Sequence, residues 1–397
     1  MRRYIALFIS LLSFSAYSKA QTPGKPDAAK PATAKPAPDV LVFSNGDQLT
    51  GKLERITAGN VVFASDMAGE LTISVDKIKE LRSGAEFALL KKGDVVGKTQ
   101  VPEGSVAVAG GNLTLSTSAD QNEATVPAKD VDYLIDKATF DQQVSKKAGF
   151  RTGWNGTLTG GANIERSTTT GTTLNAGLSL VRAIPTVPWM PARDRTTFDV
   201  TESYGKESTP IIPPTTPATP PEVVLSSIFH ADAERDQYFS PRLFALGDVS
   251  FDHNYGQGLQ FQQVYGGGIG WTAIKSGKQE LDLKVDVHYE KQQYITTPVN
   301  GSVVTTTPTV NLIGSTIFEG YHRNLPRKIV FTETANILPA WNNSNDYSAN
   351  VMAALSMPVF KRLSATVSAT DNFLNDPAEY YRKNSFQFIT GVTYLLR

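Results

Sequence analysis

From Gln279 to Glu290 the chain reads Gln-Glu-Leu-Asp-Leu-Lys-Val-Asp-Val-His-Tyr-Glu. Leu281, Leu283, Val285, Val287 and Tyr289 alternate with Glu280, Asp282, Lys284, Asp286 and His288. A strand sends successive side chains to opposite faces, so one face here is wholly apolar and the other wholly ionisable. A soluble sheet buries its apolar face under a second layer. A membrane barrel turns that face to lipid and keeps the polar face inside. The stripe recurs downstream of Gly153. Trp154, Leu158 and Ala162 share a face, as do Tyr347, Ala349, Val351, Ala353, Leu355 and Met357. Leu363, Ala365, Val367 and Ala369 alternate with Ser364, Thr366, Ser368 and Thr370. Between 151 and 397 the pattern predicts about twelve antiparallel strands, the eighth and ninth without a clear stripe.

Connection lengths separate the two solvents. After even-numbered strands the predicted turns are tight: Phe239-Ser240-Pro241, Ser276-Gly277-Lys278, Asn324-Leu325-Pro326 and Phe360-Lys361. After odd-numbered strands they are longer, at 205–222, 296–308, 340–345 and 375–384. Short turns on one side and long loops on the other are what an outer-membrane barrel with periplasmic termini requires. The exception is 185–194, too long for a periplasmic turn. Tyrosines and tryptophans fall mostly at strand ends, where interfacial girdles sit.

The amino-terminal 150 residues are of another kind. Arg2 and Arg3 precede an apolar run from Tyr4 to Phe14, and Ser18-Lys19-Ala20 follows the small-x-small cleavage pattern. This predicts a secretory signal peptide over 1–20. The chain has no cysteine, which removes lipoprotein anchoring, disulfides and thiolate metal sites. Residues 21–38 are Pro, Ala, Lys and Thr without a large apolar side chain, a spacer by composition.

Residues 39–136 hold an internal repeat. Asn45-Gly46-Asp47 with Gly51-Lys52 matches Lys92-Gly93-Asp94 with Gly97-Lys98. Gly59-Asn60-Val61-Val62-Phe63 matches Gly111-Asn112-Leu113-Thr114-Leu115, and Asp76–Leu81 matches Lys129–Leu134. Short strands with Gly-Asp and Gly-Asn turns resemble small SH3-like or Sm-like β domains of secreted bacterial proteins. Asp47 and Asp94 serve their turns in this reading and bind no metal. Residues 137–150 are expected to link the module to the strand array.

Three stretches of the array carry a further resemblance: Gly153-Trp154-Asn155-Gly156-Thr157-Leu158-Thr159-Gly160-Gly161-Ala162, Tyr238-Phe239-Ser240-Pro241-Arg242-Leu243-Phe244, and Tyr265-Gly266-Gly267-Gly268-Ile269-Gly270-Trp271. They resemble the domain-of-unknown-function family 481, the salt-induced outer-membrane proteins of Gram-negative bacteria. The resemblance covers 151–397 and implies an outer-membrane β-barrel without an assigned activity. Its motifs are structural glycines and aromatics, so it implies no site residue. The chain departs from most such barrels at Arg397, where they end in an aromatic.

The reading is therefore all-β: a small SH3-like β module at 39–136, then a transmembrane antiparallel barrel of about twelve strands. Asp248, Asp252, Asp282, Lys284, Asp286 and His288 are candidate lumen-lining residues. No catalytic set is expected. Asp286, His288 and Glu290 share a face, as do His230, Asp232 and Glu234, but alternating charges are what a lumen wall carries, and Gly-x-Ser-x-Gly is absent. The glycine run at 266–270 lies within a strand and is no phosphate loop. No cofactor is implied. The zero formal net charge argues against a nucleic-acid partner. Expected partners are outer-membrane lipid, the barrel assembly machinery, and peptidoglycan or a periplasmic protein at the module. The competing reading is a soluble periplasmic ligand-binding barrel or sandwich.

Overall fold

The computed structural model describes residues 38–94, 96, 100–116, 123–145, 149, 151–166, 170–187, 189–209, 222–295, 309–378 and 381–396. The signal peptide and nearly all of the spacer expected from the sequence lie outside the described residues, as do 210–221 and 296–308 within the two longest loops.

The module contains β1 (Asp39–Phe43), β2 (Gln48–Thr57), β3 (Asn60–Ser65), β4 (Gly69–Ser74), β5 (Ile78–Lys91), β6 (Glu103–Ala109), β7 (Asn112–Ser116), β8 (Glu123–Pro127) and β9 (Val131–Asp136). The repeat is visible in backbone geometry. Gly59 and Gly111 occupy the same hairpin position with φ of 76° and 77°, a region that L side chains rarely enter. Val75–Lys77 and Ala128–Asp130 form equivalent 3-10 turns. The two copies do not fold separately. β5 ends the first copy and begins the second, with a register shift between Ser83 and Glu86 where they join. β2 of the first copy pairs with β9 of the second, and β6 of the second pairs with β5 from Glu80 to Ala88, across the junction of the copies. All nine strands form one sheet around one core, in which Leu41, Leu53, Phe63 and Leu81 meet Phe87, Leu113, Leu115 and Leu134.

The second unit contains β10 (Trp154–Arg166), β11 (Thr170–Ile184), β12 (Asp194–Thr209), β13 (Glu222–Tyr238), β14 (Leu243–Asn254), β15 (Leu259–Lys275), β16 (Gln279–Tyr294), β17 (Thr309–Gly314), β18 (Ile317–Asn324), β19 (Val330–Pro339), β20 (Tyr347–Phe360), β21 (Leu363–Leu374) and β22 (Asn384–Leu396). Apart from β17 and β18, which both pair with β16, each pairs antiparallel with the next, and β22 pairs back onto β10, closing the barrel. β17 and β18 lie end to end along β16, so thirteen strands make twelve staves. The break at Ser315–Thr316 frees a backbone N–H, and the Asp286 carboxylate accepts it from Thr316 at 2.7 Å. The interruption keeps the parity, since Ile313 and Ile317 both face outward; the eighth stave shows no clear stripe because Asn311 and Glu319 share that outer face while Leu312 and Phe318 face inward.

Facing follows the alternation. In β16 Asp282, Asp286, His288, Glu290 and Gln292 are buried while Leu283, Val285, Val287 and Tyr289 are exposed, Val287 at 52%. Leu158, Phe198, Ile269, Trp271, Ile313, Ile317, Val351, Leu355, Val367, Phe388 and Val392 extend the apolar face around the barrel. Contiguous exposed apolar surface on this scale is foreign to soluble monomers, whose largest patches reach only a few hundred Å². Glu319 and Glu333 interrupt it on β18 and β19; their cross-strand partners Ala335 and Tyr321 lie on that outer face.

The long turn at 185–194 has a structural reason. Val187, Trp189 and Met190 pack with Ala88, Leu90, Ile135, Phe140 and Val144 of the module. The Arg55 guanidinium lies 5.5 Å from the Trp189 ring centroid, and Arg193 donates to the Val144 carbonyl at 2.9 Å. The expected linker at 137–150 is partly structured: Lys137–Thr139 forms a helical turn with Asp136 as its cap, and Phe140–Ser145 continues it as a π-helical turn with Phe140 and Val144 buried.

Candidate lumen site

All six candidate residues point inward. Asp248 and Asp252 lie on β14; Asp282, Lys284, Asp286 and His288 lie on β16. Five of them are engaged with neighbours. Lys284 bridges both Glu234 oxygens at 2.6 and 2.8 Å, and its ammonium sits 4.5 Å from the Phe318 ring centroid. Asp282 accepts from Thr272 Oγ1 at 2.7 Å and from Arg195 Nη2 at 2.9 Å. His288 Nδ1 contacts Asp286 at 3.0 Å and Thr316 Oγ1 at 3.1 Å. Asp252 pairs with His230, which also meets Asp232 at 3.1 Å. Asp248 differs: its Oδ1 is buried and has no hydrogen-bond partner among the described residues.

The alternation alone did not single out Arg195, the hub of this wall. It binds Asp236 Oδ2 at 2.7 Å, Asp282 at 2.9 Å and Glu280 at 3.5 Å, so it spans from β12 to β16 across the lumen rather than along one hairpin. Its signal lay in β12, where Arg195, Thr197 and Asp199 alternate with Thr196, Phe198 and Val200. Carboxylates dominate this wall. Asp199, Asp232, Glu234, Asp236, Asp248, Asp252, Asp282, Asp286 and Glu290 face only two permanent cations among the described residues, Arg195 and Lys284.

The glycine run of β15 makes room for this wall. Gly266 faces Asp248, and a Cβ there would lie 2.6 Å from the carboxylate oxygen. A Cβ at Gly270 would collide with the Phe244 ring, which is fully buried. The facing wall is small and uncharged: Thr159 and Thr393 share hydroxyls at 3.1 Å, and Thr366 bonds Thr393 at 2.8 Å.

Residues 159–395 match the family described as "Protein of unknown function, DUF481". This chain belongs to the DUF481 family. The match spans nearly the whole barrel and none of the module. No curated protein matches the chain. Among solved structures, the β domain of the Bordetella autotransporter BrkA is similar at 10% identity and a TM-score of 0.28, covering 61% of this chain and 98% of that one. The transport unit of the Escherichia coli autotransporter AIDA-I is similar at 12% identity and a TM-score of 0.31, covering 64% and 95%. Pseudomonas putida OprB is similar at 10% identity and a TM-score of 0.23, covering 61% and 90%. Similarity at these values assigns no function to the DUF481 chain.

One polar cluster of the DUF481 barrel sits outside the lumen. Glu202, Ser227 and His253 lie on the outer face at the loop end, beside Phe229 and Tyr255, whose rings stack on His253 at 5.5 and 4.7 Å. Ser227 Oγ donates to Glu202 at 2.7 Å and meets His253 Nε2 at 2.8 Å. Glu202 approaches that same ring nitrogen at 3.9 Å. In a charge-relay triad the acid orients the opposite nitrogen, so this arrangement differs from one.

Proposed function

We propose that this DUF481 protein is an outer-membrane β-barrel of the Gram-negative envelope, with its module in the periplasm and a structural or permeability role. The observation that carries the reading is the closed barrel with carboxylates inside and an apolar surface outside. Closure joins the first strand to the last, and outward hydrophobes on this scale are stable against hydrocarbon. A ten-residue stretch at about 3.3 Å per residue and a tilt of about 40° rises about 25 Å, the height such a belt needs. The tight turns lie on the side where the module packs, which supports a periplasmic assignment for that end. The signal-peptide reading of 1–20 agrees with export.

No catalytic chemistry is assigned to the protein, and no cofactor enters the reading. Its partners are outer-membrane lipid and the barrel assembly machinery, with peptidoglycan or a periplasmic protein as the partner of the module. Membrane fractionation combined with heat-modifiable gel mobility tests the location. The expected result is an outer-membrane protein that migrates faster unheated than heated. A protein that remains monomeric in buffer without detergent would refute the reading. Conductance in planar bilayers tests the permeability role separately.

A further inference from the structure

The seam that closes the barrel is short. β10 joins β22 over only six pairs, from Gly156 opposite Leu396 to Gly161 opposite Gly391. Its other flank pairs with β11 over thirteen, and β22 pairs with β21 over eleven. Above Gly161 and Gly391, among the described residues, β10 keeps only its β11 partners and β22 only its β21 partners. A notch opens between first and last strand on the loop side. At its foot stand three residues without side chains, Gly160, Gly161 and Gly391.

A second feature explains why the notch does not zip shut. The tops of β21 and β22 are tied to the opposite wall. Gln257, in the turn between β14 and β15, donates to the carbonyls of Asn372, at 3.0 Å, and Lys383. Ala378 N returns a bond to the Gln257 carbonyl at 3.4 Å. Gly258 is pressed against Ala378 and Tyr381 so closely that a Cβ would lie 2.5 Å from the Ala378 methyl. That turn lies six staves from the β21–β22 loop in a ring of twelve, the far side of the mouth. The loop end is thus bridged along its axis and left open at its flank.

We propose that this notch is a lateral portal: the amine-bearing headgroup of a membrane amphiphile enters the lumen between β10 and β22 while its acyl chain stays in the outer leaflet. The proposal rests on the membrane reading above. Unpaired backbone donors and acceptors cost several kcal/mol each in hydrocarbon, so such edges need polar groups that arrive from the membrane. Phe386 and Phe388, exposed at 68% and 66%, flank the opening on the lipid side and suit an acyl chain. Inward from them lie Gln387 and Thr370, hydroxyl and amide groups for a headgroup. The far wall carries the carboxylate excess. It attracts an ammonium and repels a purely anionic phosphate, which selects a zwitterionic or cationic headgroup.

The chain has no cysteine, so introduced pairs report cleanly. Ala162 and Thr390 would be the next pair if the ladder continued. Nitroxides on A162C/T390C in phosphatidylethanolamine–phosphatidylglycerol vesicles should give a distance well beyond that of paired neighbouring strands; a single short distance would overturn the portal. In a second arm, bimane on the lumen-facing variant Thr370→Cys is read against nitroxide lipid. Quenching should be at least severalfold stronger with the nitroxide on phosphatidylethanolamine than on phosphatidylglycerol, and equal or absent quenching would overturn the headgroup assignment. Benzophenone at Phe388 should form adducts with lipid; adducts with a second protein strand would replace the amphiphile by a partner chain. Heat-modifiable mobility of the same variants shows whether the barrel has inserted, which separates failure of the portal from failure of the membrane reading.

Discussion

Gly270 and Phe244 occupy one space between them. A side chain at Gly270 must displace a fully buried ring from a packed wall, at a cost of about 1–3 kcal/mol. Gly270→Val should therefore lower the fraction of heat-modifiable folded barrel, and adding Phe244→Ala should restore it; failure of the second change to rescue would show that Gly270 acts through its backbone. Asp132 in the module makes a different prediction. Burial raises its carboxyl above the ordinary value, offset in part by Lys92. The folded state then holds the proton more tightly than the unfolded chain, so stability falls as pH rises from the ordinary carboxylate range through the raised one. Asp132→Asn should make the module more resistant to proteolysis at pH 7 and leave it unchanged at pH 3. The inward direction of Asp286 was legible from alternation with Val285 and Val287. Its work was not. It accepts the N–H of Thr316, thirty residues further along the chain, and no local pattern announces that bond.

Among elements, the turn between β11 and β12 shows what length means when it breaks a rule. The sequence marks it as too long for its side of the barrel. Only packing shows why, since Trp189 and Val187 meet side chains contributed by β5, β9 and the helical turn that leads from module to barrel. Removing a large apolar anchor from such a contact costs roughly 1–3 kcal/mol. Trp189→Ala should loosen the module and speed protease cleavage in the 146–150 segment while barrel mobility on gels stays unchanged. The module shows a similar limit. Its duplication is plain in the paired Gly-Asp and Gly-Asn turns, yet the exchange of strands between copies depends on β2 meeting β9, about eighty residues apart.

For the whole molecule, the outer surface makes the sharpest demand. If hydrocarbon is its solvent, Val287→Arg places a cation in the belt at about 2–4 kcal/mol near the midplane. Refolding yield into vesicles should drop, whereas Thr370→Arg, directed inward, should be tolerated; equal tolerance of both would contradict a lipid-facing Val287. The lumen makes another demand. With carboxylates in excess of cations, any conductance should favour cations, and Asp248→Asn with Asp252→Asn should shift the reversal potential towards neutrality. The sequence by itself determined which solvent each side chain prefers, because a period of two and the tight turns are local properties of the chain. The count of about twelve staves follows for the same reason, whereas the division of one stave into β17 and β18 does not. Only the tertiary structure decided which charges neutralise one another across the lumen, where the module rests, and how far the first and last strands stay paired. Each of these joins segments far apart in sequence, and their contacts exist only once the sheet has closed.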